Sequence, residues 1–244
     1  MCGRYTLTED VDAIAEVFSA DVEGIRAVHE PRYNIAPTQY APAIIAGDEG
    51  LRAGLLRWGL VPHWAKDLSQ GGRMINARSE TVSSKPAFRE SFLSRRCLIP
   101  ADGFYEWEAQ GSVKQPYWIH RPDEALFGFA GLWATWKAPD DTKHHTFSIL
   151  TRAAPRSLTW LHDRVPVILP ADAWTDWLAK GTAAEVLTGL IDDGKTPSLR
   201  THPVSRRVNK ADSDFADCTD EIDLDDVDNG ERGAGGSGQQ ISLF

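Results

Sequence analysis

The sequence predicts an α+β fold with a mainly antiparallel sheet, and three observations carry that expectation. Strand-like and helix-like segments mix along the chain without the regular βαβ rhythm of a parallel sheet. Several strand-like segments are joined by short glycine-containing turns, as hairpins are. The helix-like segments are few and short, suited to flanking a sheet.

Residues 8–18 read as a short amphipathic helix, with Thr8 as N-cap and Val11, Ile14, Ala15 and Phe18 on one face. After the irregular YNIAPTQ stretch, residues 41–46 and 51–57 read as two strands around the turn at Gly47–Gly50. Pro86 suits a first helical position, which predicts a helix over 86–94, ending before RRCLIP. Residues 103–109 and 116–121 alternate as a hairpin around Gly111 and Ser112. Strands follow near 127–133 and 146–151, then helices near 171–179 and 182–191, and a last strand near 198–204. No internal repeat is visible.

At 244 residues and 42% hydrophobic composition, the chain suits one large domain or two small ones. No apolar run approaches the roughly 20 residues of a membrane span. The start lacks the basic-then-apolar pattern of a signal peptide. Three cysteines, Cys2, Cys97 and Cys218, form no CxxC pair, which argues against a disulfide framework or a zinc knuckle. The expectation is a monomer, cytoplasmic (nucleoid-associated) or otherwise intracellular, with no membrane partner, no metal and no cofactor.

The net charge of −9 is unevenly placed. Residues 211–232 hold ten acidic groups against Arg232 alone, whereas residues 1–210 carry 25 acidic and 25 basic groups. The body is neutral, so the global acidity does not exclude nucleic acid. From Ala211 hydrophobics thin out, and Gly233–Gly238 reads as a flexible spacer. The expected organisation is a domain over 1–210, a disordered acidic and glycine-rich linker over 211–238, and a terminal peptide over 239–244.

Cysteine at position 2 is the most informative single placement. A methionine before so small a residue is normally trimmed, which would leave Cys2 with a free α-amine beside its thiol. Such a 1,2-aminothiol condenses with an aldehyde through nitrogen and then closes through sulfur to a five-membered thiazolidine. The amine titrates near ~8 and the thiol near ~8.5, so both need neighbours to react at neutral pH. The competing reading is an incidental small hydrophobe near a frayed terminus.

Glu106 lies in GFYEW, between aromatic residues whose desolvation raises a carboxyl pKa toward a usable proton shuttle. Alternation also permits a solvent-facing glutamate, since Phe104, Glu106 and Glu108 share one face. His162, in LHDRVP, suits proton transfer or donation to a sugar oxygen, or a structural role. Asn76 offers a donor and an acceptor together, and Arg78 a planar fork for phosphate; a turn asparagine and a surface ion pair are the alternatives.

Six motifs, MCGRYTL, YNIAPTQ, RWGLVPHWAKD (57–67), INARSET (75–81), CLIPADGFYEWE (97–108) and LHDRVPVIL (161–169), occur in this order. Through them, residues 1 to about 205 resemble the SRAP family, the SOS response-associated peptidase-like proteins that shield abasic sites in single-stranded DNA. The resemblance implies a single domain with a curved, barrel-like core and flanking helices. It implies an activity in which the N-terminal cysteine is linked to the ring-opened abasic aldehyde as a thiazolidine. It makes Cys2, Asn76, Glu106 and His162 the expected catalytic residues. Expected DNA contacts are Arg4, Asn34, Pro37, Trp58, Trp64, Lys66, Arg78 and Arg164, which offer cations and stacking or wedging surfaces.

Two other classes compete: a thiol peptidase or autopeptidase using Cys2, His162 and Glu106, and a non-covalent single-strand binding module. The final residues, Gln240, Ile241, Leu243 and Phe244 within QISLF, resemble sliding-clamp-binding peptides. A tethered clamp ligand of this kind raises the local concentration of the domain.

Overall fold

The structure is a computed structural model and describes residues 2–111, 113–192 and 197–225. Its strands run in chain order β1 (Tyr5–Leu7), β2 (Arg32–Ile35), β3 (Tyr40–Ala46), β4 (Leu51–Trp58), β5 (Asn76–Arg78), β6 (Arg96–Ala101) and β7 (Gly103–Gln110). They continue as β8 (Val113–His120), β9 (Phe127–Lys137), β10 (Lys143–Ala153), β11 (Arg164–Pro166), β12 (Ile168–Leu169) and β13 (Arg200–Pro203). Short helices flank them: α1 (Val11–Phe18), α2 (Glu23–Arg26), α3 (Arg89–Ser94), α4 (Trp174–Leu178) and α5 (Ala184–Asp192).

The strands form two sheets. One has the order β13-β8-β7-β1-β2 and is antiparallel throughout. In the other, β10 pairs with β4, β4 with β3, β3 with β6, β6 with β9, and β9 again with β10. These pairings close a ring, which removes sheet edges and gives the curved, barrel-like core. Among the strands of the described residues, only the β4–β10 and β5–β10 pairings are parallel, beside one isolated parallel bridge between Asp21 and Arg52. The α+β class with a mainly antiparallel sheet is therefore the observed one.

A continuous core fills the space inside, including Tyr5, Ile14, Ile44, Trp58, Phe104, Phe129, Phe147 and Trp177. Burying side chains of this size contributes roughly 1.5–3 kcal/mol each. Gly103 is required by a close approach: a Cβ there would meet the Trp118 indole at 2.1 Å.

Several elements begin or end away from where the sequence places them. Helix α1 starts at Val11 with Asp10 as N-cap, its Oδ1 accepting from Asp12 and Ala13 N–H at 2.9 Å. Thr8 is spent elsewhere: its N–H and hydroxyl both donate to the buried Asp102 carboxylate. Helix α3 starts at Arg89, because Pro86 lies in the turn in which Lys85 O accepts from Phe88 N–H. The segment near 171–179 splits into a 3-10 turn, Ala171–Ala173, and α4. The β9–β10 hairpin is longer than expected, reaching Lys137 and Lys143.

The boundary expected at residue 210 falls inside folded chain. Residues after β13 cross the first sheet as a strap. Asp214 accepts from the Tyr33 and Asn34 N–H groups at 2.5 and 2.9 Å and pairs with Arg32. Tyr105 Oη donates to Tyr33 O and Cys218 O, and Cys218 is buried. The acids that suggested a solvated tail thus include one that caps the exposed edge of β2. Residues 226–244, with Gln240, Ile241, Leu243 and Phe244, lie outside the described residues. Among the described residues no helix is long and apolar enough to cross a membrane, and no group of three or more His, Cys, Asp or Glu is placed to hold a metal.

Candidate active site

Strand β1 is the interior strand that delivers Cys2. It is bracketed by β7 and β2, and Asp102 ties it further through Thr6 and Thr8. Cys2 lies just before it, fully buried, with its thiol 3.8 Å from Arg4 O. Its main-chain carbonyl accepts from Asn76 Nδ2 at 2.8 Å. Burial pushes the Cys2 thiol well up, and the nearby Glu106 carboxylate pushes it further. The sulfur is therefore held as a protonated thiol.

Glu106 sits on β7 directly opposite Tyr117 of β8. Period-two alternation puts it on the face of Phe104, which packs in the main core, whereas Tyr105 belongs to the smaller cluster under the strap. That resolves the choice of face: Glu106 is 3% exposed. Burial raises its carboxyl from 4.5 to about 7, the range of a proton shuttle at neutral pH.

Asn76 stands on β5, which runs parallel to β10 in the register Ile149 with Asn76 and Thr151 with Arg78. With Nδ2 on Cys2 O, its Oδ1 is a buried acceptor that no described residue fills. His162 precedes β11, which pairs with the far side of β10. Its Nδ1 lies 2.9 Å from the Arg164 N–H and 2.8 Å from Asp163 Oδ1. The Arg164 amide favours a ring with its hydrogen on Nε2, whereas the Asp163 carboxylate at the same nitrogen favours a hydrogen on Nδ1, so the two compete for the protonation of that atom. Burial lowers the His162 pKa, which favours the neutral ring. Cys2, Asn76 and Glu106, from three distant segments, thus meet through β1, β5 and β7, and the Asp163 charge beside His162 also acts on Glu106.

The expected DNA contacts divide. Trp64, Lys66 and Arg78 are exposed. Pro37 and Arg4 line a cleft of about 400 Å³ beside Gly3, together with Trp107, Lys114 and Asn209. Trp58 is core: it is fully buried, donates from Nε1 to Ile75 O at 2.9 Å and stacks on Phe147, so no face is left for a base. Asn34 is also fully buried, its amide donating to Val208, Lys210 and Ser213 carbonyls of the strap. Arg4 Nη1 donates to the same Val208 O at 2.8 Å. The Arg164 guanidinium grips both Glu80 oxygens, at 2.5 and 2.9 Å, and Thr151 O. Trp107, whose Nε1 donates to Asn209 at 2.6 Å, was legible only as another aromatic in GFYEW.

The arrangement defines a class of protein in which the second residue of the chain precedes an interior strand and is held against an amide and a buried carboxylate. The chain belongs to the SOS response associated peptidase (SRAP) family, whose profile matches residues 1–211. It is 40% identical over 222 residues to the abasic site processing protein YoaM of Bacillus subtilis strain 168, covering 90% of this chain and 98% of that one. The abasic site processing protein YoqW of the same organism is 41% identical over 211 residues, covering 86% and 94%. A crystal structure of a protein from Bacteroides thetaiotaomicron shares the fold at a TM-score of 0.81 and 22% identity, covering 91% of this chain and 100% of that one.

Proposed function

We propose that this chain processes abasic sites in DNA by linking Cys2, with Met1 removed, to the ring-opened sugar in single-stranded DNA. The observation that carries the reading is the burial of Cys2 between Asn76 and Glu106, with Glu106 raised to about 7. The α-amine adds to the C1′ aldehyde carbon, and loss of water gives an imine. The thiol sulfur then adds to that carbon while its proton passes to the imine nitrogen. Aldehyde and aminothiol become a thiazolidine and one water, and the electron sink for strand cleavage is gone.

Glu106 moves protons in both addition steps, because a carboxyl titrating near 7 both gives and takes them. His162 presents Nε2–H to the sugar oxygen as the ring opens. Asn76 holds the Cys2 carbonyl and offers Oδ1 to the α-amine. The sliding clamp as partner of residues 239–244 belongs to the same proposal.

The test incubates mature protein with single-stranded DNA containing one abasic site and separates the products on a denaturing gel. A heat-stable covalent species is expected. It should vanish in Cys2→Ala and in a chain carrying an extra residue ahead of Cys2. Binding without that species, or its persistence in Cys2→Ala, overturns the covalent reading; peptide cleavage without it favours the peptidase.

A further inference from the structure

Of nine tryptophans, only Trp64 and Trp160 stand out among the described residues as large exposed side chains, at 54% and 51%. Trp64 belongs to the loop already assigned to DNA. Trp160 has no role in the chemistry above, yet it lies two residues before His162. Its exposure is not that of a loose loop. Leu158 and Leu161 on either side are buried, Leu161 N–H bonds to Leu158 O at 3.0 Å, and Thr159 Oγ1 donates to Arg156 O at 3.0 Å.

The ring itself is propped. Tyr117 packs against it at right angles, with centroids 5.1 Å apart and an interplanar angle of 88°. Tyr117 is buried and fixed by donation of its hydroxyl to Glu108 at 3.0 Å. Tyr117 is also the cross-strand partner of Glu106. Directly opposed residues lie about 5 Å apart on the same face. A chain of neighbours therefore runs from Glu106 through Tyr117 to Trp160, spanning on the order of 10 Å, or about three stacking intervals of 3.4 Å.

We propose that Trp160 is a stacking platform for a nucleobase a few nucleotides from the lesion, on the His162 side of the site. A rigid, half-exposed indole at that distance takes the π-face of any base, which gives affinity without sequence preference. The inference rests on single-stranded DNA being the substrate.

The test compares wild type, Trp160→Ala and Trp160→Phe as full chains with Met1 removed. The probes are single-stranded oligonucleotides with a tetrahydrofuran at the lesion position, which cannot open and so binds reversibly. In a series, one flanking base at a time is replaced by a second tetrahydrofuran. Wild type should lose roughly tenfold in affinity when one particular base is removed. Trp160→Ala should bind the intact probe about tenfold more weakly and ignore removal of that base, with Trp160→Phe in between. Equal affinity of Trp160→Ala and wild type, or an equal loss on every probe, overturns the proposal. A parallel crosslinking assay on a true abasic site separates the two readings. Binding without crosslinking removes the covalent step and leaves stacking to be decided by the series; no binding at all removes both.

Discussion

Replacing Glu106 by Gln should make the protein more stable and inactive, and the gain should depend on pH. Burial raises the Glu106 carboxyl from 4.5 to about 7. Below about 4.5 the side chain is neutral in both folded and unfolded chains, and its ionisation costs nothing. Between 4.5 and 7 the unfolded chain releases a proton that the folded chain keeps, so stability falls as pH rises. Above about 7 the folded state bears the full cost of a buried carboxylate. The gap corresponds to about 3 kcal/mol. The side chain is 3% exposed, so solvent screening takes little from that figure. Gln keeps the shape and removes the titration. The assay is urea denaturation of both proteins from pH 4 to 8, read as the difference in midpoint at constant slope. The difference should be near zero at pH 4 and reach about 3 kcal/mol at pH 8, a rise of roughly 6–12 °C in Tm for a chain of this size. All other carboxylates are common to both proteins and cancel. A difference that stays flat across pH 4.5–7, or favours wild type at pH 8, would refute the argument.

Asn34→Ala should cost about 3 kcal/mol, because three strap carbonyls lose a buried donor. A urea midpoint change worth less than 1 kcal/mol would show that the strap does not depend on that amide. Glu80→Gln should cost about 1 kcal/mol or less, since Glu80 is half exposed. It should also free the Arg164 charge for phosphate. The slope of log affinity against log salt for single-stranded DNA should then steepen by about 0.7; an unchanged slope means that Arg164 stays off the DNA.

The parts of the fold and site that were legible in sequence are those governed by local pattern. Glycine-bounded alternation located the β3–β4 and β7–β8 hairpins, because pleat and turn chemistry are local. Their motifs single out Cys2, Asn76, Glu106 and His162 as candidates, and the structure sets Cys2 beside Asn76 and Glu106. What escaped depends on partners far along the chain. Thr8 has the chemistry of an N-cap, but Asp102, 94 residues away, claims it. Trp58 and Asn34 have the chemistry of DNA contacts, but Phe147 and the strap claim them. Asp214 looked like one more solvated acid because the amides it caps belong to β2. Trp160 went unread because its surroundings come from Tyr117, on another strand.

The strap also sets a clock. Arg4, two residues from Cys2, is held by a carbonyl 204 positions later. A ribosome adding ~5–20 residues per second needs about 10–40 s to make that stretch. Throughout that interval Arg4 lacks its Val208 acceptor and the Asn34 amide its three strap carbonyls. The amino-terminal strand is therefore the first part of the sheet to be made and among the last to have its hydrogen bonds completed.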